Sequence, residues 1–193
     1  MEILGKILGN SSRVKIMRLF FLNKSKGFKN VDIVKRSRVS ADIVRKEVKL
    51  LASVGLIKKR AEDWFFDPSF KYASEFEGLL IGSDTLDKEA IADIFKKAGK
   101  VKLLVVSGVF IKNKESRVDL LIVGDKMNKS KIEEGVRKLE AEIGVELVYA
   151  LFDAKEFAYR IKMYDKLVRD ILDFPHEVVV QTKELSTQAL KKN

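Results

Sequence analysis

The chain contains no cysteine. That excludes a disulfide scaffold, a zinc site built on thiolates and a thiol nucleophile, and it fits a reducing compartment. Histidine is almost missing as well. His176 stands alone, so no histidine cluster is present to hold a catalytic metal. It sits between Pro175 and the run EVVVQ, where a structural or solvent-facing role is expected. No apolar run approaches the ~18 residues needed to cross a bilayer. The N-terminal stretch MEILGKILG is too short for a signal peptide and lacks a cleavage pattern. These absences predict a soluble cytoplasmic protein with no membrane contact, no metal and no cofactor.

What is present suits folded domains. Hydrophobic residues make up 46 % of the 193, enough for real cores, and charged residues 34 %, enough for a solvated surface. That length fits one large domain or two small ones. The formal net charge is +10, and its distribution matters more than its size. Residues 1–72 hold 17 Lys and Arg against 7 Asp and Glu, whereas the remainder holds 21 of each. The whole surplus therefore lies in the first third. A basic segment joined to a neutral one implies a polyanionic partner met by that segment, and nucleic acid is the first candidate because binding releases condensed counterions. Charge alone does not separate DNA from RNA. An anionic membrane would favour a basic amphipathic helix with aromatic residues on its apolar face, a form found nowhere in this stretch.

Residues 13–22, RVKIMRLFFL, carry apolar side chains at helical spacings after the capping residues Asn10, Ser11 and Ser12. A short segment from Asn30, NVDIVKRSR, is followed by Val39 and by Ser40 as an N-cap. The next helix, ADIVRKEVKLLASVG, is expected to bury Ile43, Val44, Val48, Leu51 and Val54, with Asp42 near its positive end and Gly55 as its C′ residue. LIKKR and WFFDPSF then read as two short strands around Ala61, Glu62 and Asp63. Three helices followed by a hairpin is the order of a winged helix. Pro68 and Ser74–Gly82 are expected to lead out of this unit, with the boundary near Gly82 to Thr85. Beyond it, helices alternate with the strand-like runs VKLLVVSG, RVDLLIVGD, VELVYALF and HEVVVQ, which predicts an α/β layer structure. The expected domains are residues 1–78, residues 84–181 and a polar tail, 182–193. There is no internal repeat.

Two resemblances follow from these segments. VDIVKRSRVSADIVRKEVKLLASVGLIKK, and VRKEVKLLASVGLIKKR most of all, resembles winged helix-turn-helix transcriptional regulators of the ArsR/MarR-like kind. VKLLVVSGVFIKNKESRVDLLIVGD, with LEAEIGVELVYALFDAKEFAYRI after it, resembles the minimal nucleotidyltransferase-like, polymerase β-like fold with its mixed sheet. The combination resembles small prokaryotic regulators that fuse the two. Active members of the second family carry Gly-Ser after the first strand and an Asp-x-Asp metal pair on the second. Here Ser107-Gly108 stands in place of Gly-Ser, Asp119 matches the second carboxylate, and Arg117 occupies the place of the first. An arginine there repels the cations that two-metal phosphoryl transfer needs. Asp125, after the strand, is a poor substitute.

The resemblance implies a sequence-specific regulator, binding double-stranded DNA as a homodimer, and no enzyme. The expected DNA contacts are Ser40, Arg45, Lys46 and Lys49 on the third helix, Lys58 and Arg60 on the wing, and Arg36 and Arg38 beside the second helix. Glu62 and Asp63 make the wing tip acidic, which suggests a shallow wing contact, and Trp64, Phe65 and Phe66 read as packing residues. Ser107, Gly108 and Asp119 form a nucleotide-binding remnant, in a domain left for ligand sensing, dimerisation or partner binding. Two alternatives stand beside this reading: a nucleotidyltransferase tethered to nucleic acid, and an antitoxin-like module whose α/β domain binds another protein; a protein or a nucleotide is the partner open to the C-terminal domain.

Overall fold

A computed structural model describes residues 3–82, 87–113 and 115–185. Among these residues the chain is an α/β structure with nine α-helices and two small sheets, one of them mixed. They form two compact units. No helix among the described residues is long and apolar enough to span a membrane.

The first unit contains α1 (Ile3–Ile7), α2 (Ser11–Leu22), α3 (Asn30–Ser37), α4 (Ala41–Ser53), the strands β1 (Ile57–Arg60) and β2 (Asp63–Phe66), and α5 (Ala73–Gly82). Asn10 starts α2 by accepting from the Ser12 N–H at 2.9 Å. Val14, Ile16, Met17, Leu19, Phe20 and Phe21 are all buried, so this helix is apolar on nearly every side and lies at the centre of the core. Lys29 precedes α3, and the Asp32 carboxylate reaches back to its N–H at 3.0 Å. The end of α4 is a Schellman turn. Gly55 takes φ +79, its N–H donates to the Ala52 carbonyl at 3.1 Å, and the Leu56 N–H donates to the Leu51 carbonyl at 2.9 Å. Leu56 is buried behind it and leads straight into β1.

The β1–β2 hairpin pairs Arg60 with Asp63, so its loop is only Ala61-Glu62, one residue shorter than the sequence suggests. Phe28 adds an isolated antiparallel bridge to Trp64. Ser74–Gly82, expected as a lead-out, is helical. Its Leu80 is fully buried, and the Leu80 carbonyl accepts from Arg18 Nε at 2.9 Å. A helix so short, with so many apolar residues, has too weak a period to be recognised from its pattern.

The second unit contains α6 (Lys88–Phe95), β3 (Lys100–Val106), β4 (Leu120–Asp125), the first part of α7 (Lys129–Ile143), β5 (Tyr149–Phe152), α8 (Ala154–Lys162), α9 (Lys166–Asp173) and β6 (Glu177–Gln181). The strand order is β5-β4-β3-β6. β3 runs antiparallel to both neighbours, and β4 and β5 are parallel, with α7 in the connection between them. Leu103, Val105, Leu121 and Val123 fill one face, and Leu104, Leu120 and Ile122 fill the other. Burial on both faces accounts for the unbroken apolar runs of β3 and β4. Asp87, Asp153 and Asp165 cap α6, α8 and α9.

Three expectations need correction here. Residues 137–146, assigned from sequence to the second domain, pack with the first unit. Their carbonyls explain why: Glu142 accepts from Arg18 Nη1 at 3.2 Å and Gly144 from Asn23 Nδ2 at 2.8 Å, while Glu142 pairs with Lys15 at 2.6 Å. Only the last four residues of VELVYALF form a strand. The tail begins with a 3-10 turn, Lys183–Leu185, whose Leu185 joins the core of the second unit. The expected boundary at 83–86 and the tail from 186 onward lie outside the described residues.

Candidate nucleic-acid interface

The faces of α4 divide sharply. Val44, Glu47, Val48 and Leu51 are buried, whereas Asp42, Arg45, Lys46, Lys49 and Ser53 are exposed. The exposed set follows i, i+3, i+4, i+7 spacing and forms one stripe opposite the buried one. Ser40 occupies the N-cap position and is exposed, but its side chain makes no capping bond, so the hydroxyl is available. Ile43 and Val54, expected in the core, lie at 39 % and 54 % exposure instead. Their place on the inner flank is taken by Glu47, which accepts from Arg13 Nε at 2.7 Å and from Asn10 Nδ2 at 2.6 Å. A buried carboxylate with charge-assisted partners fixes the rotation of α4 about its own axis, and with it the direction of the stripe.

The remaining expected contacts fare unequally. Lys58 is half-buried and bound to Asp67 at 2.8 Å. That hydrogen bond, with two from Ser69, holds the Asp67 carboxyl down to about 2. Arg60 shares the hairpin face of Lys58, is exposed, and lies over the Phe65 ring at 5.6 Å. Arg36 is half-buried, paired with Glu146 at 2.7 Å and placed over the Phe28 ring at 5.4 Å. Arg38 is exposed and holds the left-handed turn between α3 and α4 at φ 54. At the hairpin tip Lys29 pairs with Glu62 at 3.0 Å. That contact raises the lysine's pKa and lowers the carboxyl's, and it offsets the acidity of the tip. Lys29 carries no such signal in the sequence, because only the fold brings it to Glu62. Phe66 is core, and Trp64 and Phe65 are half-buried under Lys59 and Arg60.

In the second unit, Ser107, Gly108 and Asp119 do come together, but as a structural joint. The Ser107 hydroxyl donates to the Val118 carbonyl at 2.6 Å. Asp119 is buried, and its two oxygens accept separate backbone bonds, from Val109 N–H and from Val148 N–H, each at 2.9 Å. Gly108 sits at φ +55, and a Cβ there would run into Asp119 Oδ1, so a side chain at this position must displace the carboxylate. Arg117 is tied to Asp170 at 2.6 Å, in an open groove of about 360 Å³ lined also by Glu115, Lys166 and Phe174. Asp125 is bound to Lys102 at 2.8 Å, which lowers its pKa, and the same lysine reaches Glu184 at 2.7 Å. Among the described residues no group of three or more acidic side chains is placed to hold a metal ion.

Comparison with protein-family models, with curated proteins and with solved structures finds no match for this chain.

Proposed function

We propose that this chain is a sequence-specific transcriptional regulator that binds double-stranded DNA, with its first unit acting as a winged helix-turn-helix. The observation that carries this reading is the exposed stripe of α4. Arg45, Lys46 and Lys49 project away from a face that is otherwise buried, on a helix that follows α3 after a three-residue turn and leads directly into a hairpin. An α-helix so presented fits the major groove, where arginine reads guanine and lysine meets phosphate or guanine. The concentration of the whole charge surplus in residues 1–72 supports the same conclusion. Ser40 and Arg38, just ahead of the stripe in sequence, and Arg60 at the end of β1 serve as phosphate contacts. Arg36 and Lys58, being engaged with Glu146 and Asp67, serve the fold first.

The nucleotidyltransferase-like unit acts in this proposal as a non-catalytic module for sensing, dimerisation or partner binding, in a homodimeric protein. Two observations favour that role over nucleotidyl transfer. Both oxygens of Asp119 are committed to backbone N–H groups, and the neighbouring metal position is an arginine held by Asp170. The test is a binding titration on duplex DNA over a range of salt. Arg45→Ala is expected to weaken the specific complex by about 1–3 kcal/mol, and Lys49→Ala to weaken all duplexes alike while reducing the salt slope by about 1. Unchanged affinity and slope in both variants would remove α4 as the docking helix.

A further inference from the structure

The exposed stripe of α4 contains one acid. Asp42 lies in the first turn, three residues before Arg45, and its Oδ1 accepts from Arg45 Nη1 at 2.8 Å. Lys46, one residue further on, stands within the usual reach of an i, i+4 ion pair, yet the carboxylate holds the arginine. Both side chains are well exposed, at 83 % for Asp42 and 64 % for Arg45. A pair so open to water adds little to stability. Its consequence is geometric. A free arginine samples many rotamers, and any contact it makes must overcome the loss of that freedom. Anchoring one Nη biases the guanidinium towards one orientation and leaves Nε and the other Nη to donate, enough for the two parallel bonds to guanine O6 and N7.

The carboxylate also selects between targets. A phosphate oxygen approaching Arg45 would bring its negative charge beside that of Asp42, whereas a guanine edge presents neutral acceptors. The second oxygen of Asp42 can only accept, so it suits the N4 amino group of a cytosine. Lys46 and Lys49 have no acid in ion-pair contact among the described residues, and Lys49, a further turn along α4, is the one farther from Asp42.

Building on the DNA-binding reading, we infer that Asp42 is a positioning residue that sets base specificity: it braces Arg45 as a reader of guanine, and the target site holds a guanine where α4 enters the major groove.

Selection of bound fragments from a random duplex pool tests this with the full chain at one salt concentration, using wild type, Asp42→Asn, Asp42→Ala and Arg45→Ala. The readout is the preference for each base at each position. The uniform phosphate contribution cancels in that ratio, so a mere change of net charge leaves it in place. The expected result is a guanine preference that Arg45→Ala abolishes and that both Asp42 variants reduce, at that same position, by about threefold to tenfold. Their affinity for random duplex stays equal or rises. Asp42→Asn preserves size and a helix-start acceptor, so it carries the test if far-ultraviolet circular dichroism shows that Asp42→Ala disturbs α4. A guanine preference undiminished in a folded Asp42→Asn protein overturns the role of Asp42 and leaves DNA binding standing. A guanine preference that survives Arg45→Ala overturns the pairing. No preference in wild type overturns both the inference and the reading it rests on.

Discussion

Replacing Gly108 with alanine tests how tightly the Asp119 joint is built, and Gly55 supplies the matched control. Both glycines hold positive φ, +55 and +79 respectively. An added Cβ at Gly55 meets nothing within 4 Å, whereas at Gly108 it would lie 2.0 Å from Asp119 Oδ1 and 3.0 Å from the carboxyl carbon. Backbone strain is therefore common to the two substitutions and amounts to about 1–2 kcal/mol, offset by several tenths through loss of freedom in the unfolded chain. Gly55→Ala is expected to cost about 1 kcal/mol. Gly108→Ala must also displace the Asp119 carboxylate from the Val109 N–H. A hydrogen bond to a charged acceptor adds about 1.5–3 kcal/mol, for a total of about 2.5–4 kcal/mol. Urea unfolding followed by circular dichroism measures both, and the fluorescence of Trp64 follows the first unit separately. Equal losses for the two variants, within about 0.5 kcal/mol, would mean that the carboxylate moves aside freely and that the joint is loose.

Truncating Glu47 to alanine removes the buried partner of Arg13 and Asn10 and should destabilise the first unit by about 2–3 kcal/mol, the lower range for a buried pair because Arg13 is partly exposed; denaturant titration on Trp64 checks it. The Asp67 carboxyl, held at about 2 against an ordinary 3.8, contributes stability that is complete above about pH 4 and is lost as pH falls from there towards 2. Asp67→Asn should flatten that part of the stability profile, and an unchanged profile would contradict the pairing with Lys58. Ala61 holds φ +51 at the hairpin loop, so Ala61→Gly should raise stability by about 0.5–1 kcal/mol, read as a shift in thermal midpoint.

Much of the local structure is legible in the sequence because it depends on neighbours in the chain. Gly55 announces the end of α4, Asp153 caps its helix by accepting from the Glu156 N–H, and the apolar runs of β3 and β4 reveal strands buried on both faces. What is hidden depends on distant partners. Glu47 looks like a surface residue until Asn10 and Arg13 close over it, and that inversion leaves Ile43 and Val54 exposed. Helical periodicity gives the amphipathic face of α7 but not the unit on which its last turns pack. The candidate site shows the same division. Arg45, Lys46 and Lys49 share a face by spacing alone, while the capture of Arg36 by Glu146 and of Lys58 by Asp67 needs the folded chain. Asp119 matches a metal-binding pattern in sequence, and only its two backbone partners disclose a structural role.

Docking of α4 in the major groove implies that the protein recognises duplex DNA by sequence. The most direct test is a competition at physiological salt between the best fragment selected by the purified protein and an excess of random duplex. A helix that reads bases keeps a short site in the complex against roughly 10³-fold or more random DNA, and Arg45→Ala loses this advantage. Complexes that exchange equally with random duplex and dissolve steeply with salt would contradict it, leaving a basic surface that binds phosphate without reading bases.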